Sequence, residues 1–110
     1  MRCLVTMETI ETGIPRSPKE TVQHLEQRVL PDHEARMKLE AEKKILAGGA
    51  PVGKRGNVFI VEVASNEELS RLLQSLPLWS LQKVDVTPLQ RFEDRAAQDR
   101  QLLERLKTAL

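Results

Sequence analysis

The segment that decides the fold is a short capped helix ending at a proline, Ser65-Asn66-Glu67-Glu68-Leu69-Ser70-Arg71-Leu72-Leu73-Gln74-Ser75-Leu76-Pro77-Leu78-Trp79. Ser65 and Glu68 form a capping box, in which each side chain satisfies a free N–H group at the helix start. Four leucines at i, i+3, i+4 and i+7 form one apolar stripe: Leu69, Leu72, Leu73 and Leu76. Pro77 ends the helix because the residue before a proline is disfavoured in helical conformation.

Strands are predicted on both sides of this helix, over residues 58–63 and 81–87. Residues 2–7 predict an opening strand with Cys3, Val5 and Met7 on one side, and residues 45–47 a short second strand. Residues 58–63 are apolar at nearly every position, so we expect both faces of that strand to be covered.

The first helix begins at Ser17, with Pro18 at the first helical position and Glu20 three residues after the cap. Pro31 interrupts the helical pattern, because it lacks an N–H donor and its ring clashes with the carbonyl four residues back. The sequence therefore predicts either a sharp kink or two helical pieces, the second covering residues 32–44.

The resulting order is strand, helix, strand, strand, helix, strand, which predicts a ferredoxin-like α+β fold with a four-stranded antiparallel sheet. Residues 1–92 form the predicted domain, and residues 93–110 a C-terminal helical extension. Both helices lie on one face of such a sheet. We expect a second copy to cover the other face, giving a dimeric α+β barrel or a higher homo-oligomer.

Composition excludes several classes of function. The formal net charge is +1 with both signs interspersed, and aromatic residues make up only 3 % of the chain, so no nucleic-acid surface is indicated. The N-terminus lacks a signal-peptide core, and no apolar run approaches the length of a membrane span. We expect a soluble cytoplasmic protein that binds no membrane, with Cys3 as a buried apolar side chain.

The glycine-rich segment of residues 48–57 resembles a phosphate-binding loop only superficially. Gly48, Gly53 and Lys54 fit G-x-x-x-x-G-K, but Arg55 replaces the required hydroxyl residue. A predicted strand follows the loop, whereas the motif needs a helix N-terminus. We therefore interpret it as a connection between strands. Lys54 and Arg55 either close over an anionic substrate at a pocket mouth or are simply solvated cations.

A metal site is not predicted. His24 and His33 are nine residues apart, on opposite sides of a continuous helix, and the lone Cys3 lies far from both in sequence. No cofactor is expected.

Asp32 and His33 are the candidate catalytic residues, because they follow Pro31 at a constrained helix start. His33 borders the stripe that contains Met37, and a partly desolvated histidine titrates near neutrality and can shuttle a proton. The alternative is structural: Asp32 compensates the helix dipole, and His33 is a surface residue beside Arg36 and Glu40.

The segment of residues 76–79, Leu-Pro-Leu-Trp, followed by the strand that ends in Pro88 and Leu89, resembles the muconolactone delta-isomerase family. The resemblance covers residues 1–92. It implies a dimeric α+β barrel that moves a proton within an unsaturated lactone of aromatic catabolism, without metal or organic cofactor. The family's catalytic carboxylate near the start of the long helix corresponds most nearly to Asp32 or His33.

This sequence departs from the family in two places. Members of the family carry a Trp-Arg segment after the first helix, whereas this chain has Gly48-Gly49-Ala50-Pro51-Val52-Gly53 there. Residues 33–51 are instead similar to the YCII proteins, although residues 75–77 lack the aspartate that those proteins carry before a proline.

We therefore predict a small cofactor-independent isomerase that shifts a proton within an unsaturated lactone or cyclic enone. His33 or Asp32 acts as the base, and the predicted substrate-binding residues are Lys54, Arg55, Met37 and Trp79. The alternatives are a cofactor-free monooxygenase or polyketide-cyclase-like enzyme, and a non-catalytic ligand-binding or assembly protein of the same fold.

Overall fold

The computed structural model describes residues 1–110 and contains one four-stranded antiparallel sheet. The strands are β1 (Arg2–Thr9), β2 (Ile45–Gly49), β3 (Gly56–Glu62) and β4 (Gln82–Leu89), in the spatial order β2-β3-β1-β4. β1 is central and pairs with both β3 and β4. The predicted ferredoxin-like α+β fold is confirmed.

Four α-helices accompany the sheet: α1 (Pro18–His24), α2 (Leu30–Ala41), α3 (Asn66–Gln74) and α4 (Phe92–Ala109). Short 3₁₀ turns cover Glu11–Gly13 and Trp79–Leu81. No helix combines the length and the hydrophobicity that crossing a membrane would require.

The predicted interruption near Pro31 takes the form of a π-helical turn. Residues Leu25–Val29 form this turn between α1 and α2, and the N–H of Leu30 donates to the carbonyl of Leu25. A π turn accommodates one more residue than an α turn. The chain thereby stays helical up to Pro31, which lies in the first turn of α2. The second helical piece starts at Leu30 and ends at Ala41, three residues before the predicted end.

The Ser65 half of the α3 capping box is present as predicted, whereas the Glu68 half bonds one residue earlier than the cap. The Ser65 hydroxyl accepts a 3.1 Å hydrogen bond from the Glu68 N–H. The Glu68 carboxylate accepts a 2.7 Å bond from the N–H of Ala64, the residue before the cap. These two bonds fix the point at which the chain leaves β3, so the leucine stripe of α3 faces the sheet.

The core lies between the sheet and its helices, and the side chains at alternate strand positions supply one half of it. Cys3, Val5, Met7, Phe59 and Val61 point into it from β1 and β3, and all are buried. The other half comes from α3 and from the second residue after its end: Leu69, Leu72, Leu73 and Leu76.

The opposite face of the sheet is only half-covered within one chain. Val58 and Ile60 alternate with the buried residues of β3, and both are half-buried. Ile60 lies opposite Leu4 of β1 and Ala47 of β2 on this outer face. The expectation that both faces of residues 58–63 are covered is therefore met within the chain only on the helix side.

The predicted C-terminal helix is present as α4 and projects from the body, so that the molecule measures 69 × 28 × 23 Å. Apart from the half-buried Ala96, its residues are exposed. Phe92 at its start is 94 % exposed, and Leu103 and Leu106 form an exposed apolar strip farther along.

Candidate active site

Two adjoining clefts separate the long helical region from the end of the sheet where β2 turns into β3. The first has a volume of about 250 Å³ and lies against α2, β2 and β3. The second, about 360 Å³, extends toward α1 and the 50–56 turn. Three residues line both clefts, namely His33, Ala50 and Asn57. The two clefts thus form one continuous depression with His33 at their junction.

His33 is the predicted site residue with the most central position. It is an exposed residue of α2, and it lines both clefts. Met37, one turn later on α2, lines the first cleft beside it. Val5 is buried in the core and Ile60 is on the outer face of the sheet, so neither side chain lines the clefts beside the histidine.

Asp32 has a different environment from its neighbour in sequence. It is fully buried, with 0 % exposure, and lines neither cleft. Its Oδ1 accepts a 3.0 Å hydrogen bond from the N–H of Leu78, and its Oδ2 forms an ion pair with Nη2 of Arg36. The carboxylate therefore contacts Arg36 and the chain after α3, and it is not part of the lining of either cleft.

Arg36 is a functional candidate that the sequence did not indicate, since its position predicts only a surface neighbour of His33. The residue is 9 % exposed and lines the first cleft. Its guanidinium lies 5.9 Å from the centre of the Phe59 ring. Burial lowers the pKa of Arg36 from its ordinary value, and the charge of Asp32 opposes that shift. The i, i+4 spacing of Asp32 and Arg36 was the available signal.

Asn57 is the second candidate that the sequence did not indicate. It starts the run of buried positions along β3, is 6 % exposed, and lines both clefts. It lies opposite the buried Met7 in the β1–β3 pairing, which places its side chain on the helix-facing side of the sheet. A buried side-chain amide at this point offers both donors and an acceptor to a polar ligand.

His24 and His33 share the second cleft, which corrects the expectation that they lie on opposite sides of the helix. Nine residues of regular α-helix correspond to a rotation of about 180° between the two side chains. The Leu25–Val29 turn lies between them and accommodates an extra residue, which reduces the rotation to about 80°. The π turn therefore brings both imidazoles to the same side.

Lys54 and Arg55 line the second cleft from the turn between β2 and β3, which is a strand connection as predicted. The Arg55 carbonyl accepts a 2.8 Å hydrogen bond from the N–H of Thr9, which ties the turn to the end of β1. Both cations are exposed. Trp79, the remaining predicted substrate-binding residue, packs half-buried against the core and lines neither cleft.

The depression thus combines two imidazoles, a buried guanidinium, a buried amide and two exposed cations. Such a set can exchange a proton with a bound molecule and can stabilise negative charge on it. No three His, Cys, Asp or Glu side chains are grouped so as to hold a metal ion.

Comparisons with known proteins point to one family. The family model described as muconolactone delta-isomerase matches residues 1–95. Muconolactone Delta-isomerase 1 of Acinetobacter lwoffii is 50 % identical over 38 residues, which are 34 % of this chain and 40 % of that protein. The chain therefore matches two fifths of the length of this curated relative.

Two solved structures share the fold. The crystal structure of a muconolactone isomerase superposes with a TM-score of 0.67 at 23 % identity, over 83 % of this chain and 90 % of the other. A 5-chloro-2-hydroxyhydroquinone dehydrochlorinase from Burkholderia phenoliruptrix, in complex with 2,5-dihydroxybenzoquinone, gives a TM-score of 0.58 at 18 % identity. That match covers 86 % of this chain and 98 % of the other.

Proposed function

The chain belongs to the muconolactone delta-isomerase family, and from this premise we propose that it isomerises an unsaturated lactone by moving a proton along the conjugated ring. The observation that carries the proposal is the position of His33 at the junction of the two clefts, with cationic and amide groups around it. A muconolactone is a lactone of an unsaturated dicarboxylic acid. One carboxyl group closes the lactone ring, so the other remains as a free carboxylate on the substrate.

In the proposed reaction His33 acts as the base. Its imidazole takes a proton from the saturated ring carbon next to the C=C bond. The electron pair of the broken C–H bond shifts through that double bond onto the lactone carbonyl oxygen, which becomes an enolate. The same proton then returns from the imidazolium to another carbon of the conjugated system. The atoms and electrons balance within the substrate and one histidine, so the step needs no oxidant, reductant or cofactor.

Lys54 and Arg55 are proposed to stabilise the negative charge of the enolate. Both line the second cleft with His33, and their turn is tied to β1 through the carbonyl of Arg55. Positive charge placed where the oxyanion develops lowers the barrier more than it stabilises the neutral lactone. Asp32 is buried beneath the site and acts as a positioning residue rather than as the base.

We also propose that two copies pack through the outer face of the sheet. That face carries Leu4, Val58 and Ile60, which are half-buried within a single chain. When a second sheet packs on an uncovered apolar face, that surface is removed from water, and this burial stabilises the dimer.

The test is turnover of a carboxymethyl-substituted unsaturated lactone, followed by ultraviolet absorbance. We expect His33→Ala to lower kcat by roughly 10²- to 10⁴-fold, the usual effect of losing a general acid–base group. Glu34→Ala is the matched control, because Glu34 is an exposed neighbour that lines neither cleft. Wild-type protein that leaves such lactones unchanged contradicts the proposed function, and a His33→Ala variant as active as wild type contradicts the assigned base.

A further inference from the structure

We propose that Arg36 binds the free carboxylate of the substrate at the floor of the first cleft. This inference rests on the proposed function and deepens it, because it assigns the residue that binds the free carboxylate of the substrate. Lys54 and Arg55 are the exposed cations near the site, but Arg36 is the only arginine of the chain that is buried.

The guanidinium of Arg36 has hydrogen-bonding capacity that the protein leaves unused. Its Nη2 faces Asp32 in the ion pair, whereas Nε and Nη1 have no hydrogen-bond acceptor. Buried polar groups without partners are rare in proteins, and a charged group left in this state is costly. A second carboxylate would satisfy these donors, because the planar guanidinium fork matches carboxylate geometry.

The charges around Arg36 suit a second anion. Asp32 neutralises part of the guanidinium charge, but its own Oδ1 is already bonded to the N–H of Leu78. Glu40 is the one carboxylate that lines the first cleft, and it is exposed, so solvent screens its repulsion. His33 lines the same cleft, which places the proposed base beside a lactone held by its carboxylate.

Binding requires a local movement of the arginine side chain. The guanidinium nitrogens are closed to solvent, although the residue lines the cleft. Met37, which lines the cleft next to Arg36 in sequence, is exposed and unbranched and can change rotamer at little cost. A rotation of the guanidinium toward the cleft would present the unpaired N–H groups while Asp32 retains contact with Nη2.

The first experiment compares the free acid of the lactone with its methyl ester. We expect Asp32→Asn/Arg36→Met to lower kcat/KM for the acid by roughly 10- to 100-fold, the effect of losing charged hydrogen bonds, and to lower kcat/KM for the ester by a much smaller factor. In the double variant the amide oxygen at position 32 can still accept from the Leu78 N–H. Both charges of the ion pair are removed together, so neither is left buried without a partner. Lys38→Met is the control, since Lys38 is exposed on α2 and lines neither cleft. An equal fall for acid and ester overturns the inference.

The second experiment does not depend on turnover or on any variant folding. Wild-type protein is titrated with acetate and, separately, with acetamide, while the Arg36 Nε–H signal is followed by ¹⁵N NMR. We expect acetate to shift this signal in a saturable way and acetamide to leave it in place. An Arg36 signal that acetate does not move overturns the inference even if the lactone is isomerised. A saturable acetate shift supports it even if no lactone is turned over.

Discussion

Asp32 in α2 and Leu78 after α3 are joined by a 3.0 Å hydrogen bond, although they lie 46 residues apart in the chain. The bond runs from the Leu78 N–H to Oδ1 of a carboxylate with no solvent exposure. Leu78 also lines the second cleft. One buried carboxylate therefore holds both the arginine of the first cleft and the backbone beside the second.

We predict that Asp32→Ala lowers the free energy of unfolding by about 3–5 kcal/mol, because it leaves the Arg36 charge buried without its partner. Asp32→Asn should cost less, since an amide oxygen still accepts from the Leu78 N–H. Urea denaturation measures both, with Glu34→Ala as the control for an exposed carboxylate on the same helix. An Asp32→Ala protein as stable as the control would show that the ion pair contributes nothing.

A second prediction concerns the glycines of the β2–β3 region. A Cβ at Gly56 would lie 2.1 Å from the backbone oxygen of Met7, so Gly56→Ala must displace β1 or β3. A Cβ at Gly49 would meet nothing within 4 Å. We expect Gly56→Ala to destabilise by about 1–3 kcal/mol, in the upper range for single substitutions, and Gly49→Ala to change stability little. Thermal unfolding followed by circular dichroism compares the two, and equal melting temperatures would contradict the prediction.

The parts of the fold that sequence predicts well are those set by local contacts. Ser65 and Glu68 bond to backbone groups within four residues, so the capping box is readable from spacing alone. The alternation of buried residues in β1 follows from the two-residue period of a strand. Family resemblance carried by the segment of residues 76–79 then gave the right fold and family.

The parts that sequence did not predict depend on contacts distant in the chain. An Asp–Arg pair at i, i+4 is usually a solvated pair on a helix surface, whereas this one is buried and bonded to the N–H of Leu78, 46 residues away in the chain. Whether the chain accommodates Pro31 by a kink or a π turn depends on what the helix packs against. The shared position of His24 and His33 follows from that choice, so spacing alone gave the wrong side.

A third prediction addresses the boundary between the domain and its extension. α4 projects from the body, and residues 93–110 are exposed apart from the half-buried Ala96. We expect a chain ending at residue 92 to keep the melting temperature of the full chain within a few degrees and to lose only the helical signal of α4. Circular dichroism spectra and melts measure both quantities. A large drop in melting temperature would mean that α4 stabilises the body, directly or through a second copy.

The last prediction tests the proposed pairing of two sheets. Ile60 lies in the middle of the outer face, between Leu4 and Ala47, and is half-buried in one chain. Ile60→Asp would place a carboxylate in the apolar interface of each copy, where desolvation and mutual repulsion oppose association. We expect the dimer dissociation constant to rise by at least roughly 100-fold, since a buried unpaired charge costs several kcal/mol.

Val52→Asp is the control, because Val52 is fully exposed in the β2–β3 turn and lines neither cleft. Light scattering over a dilution series measures the change, and a wild-type protein that is monomeric at micromolar concentration would contradict the proposed pairing.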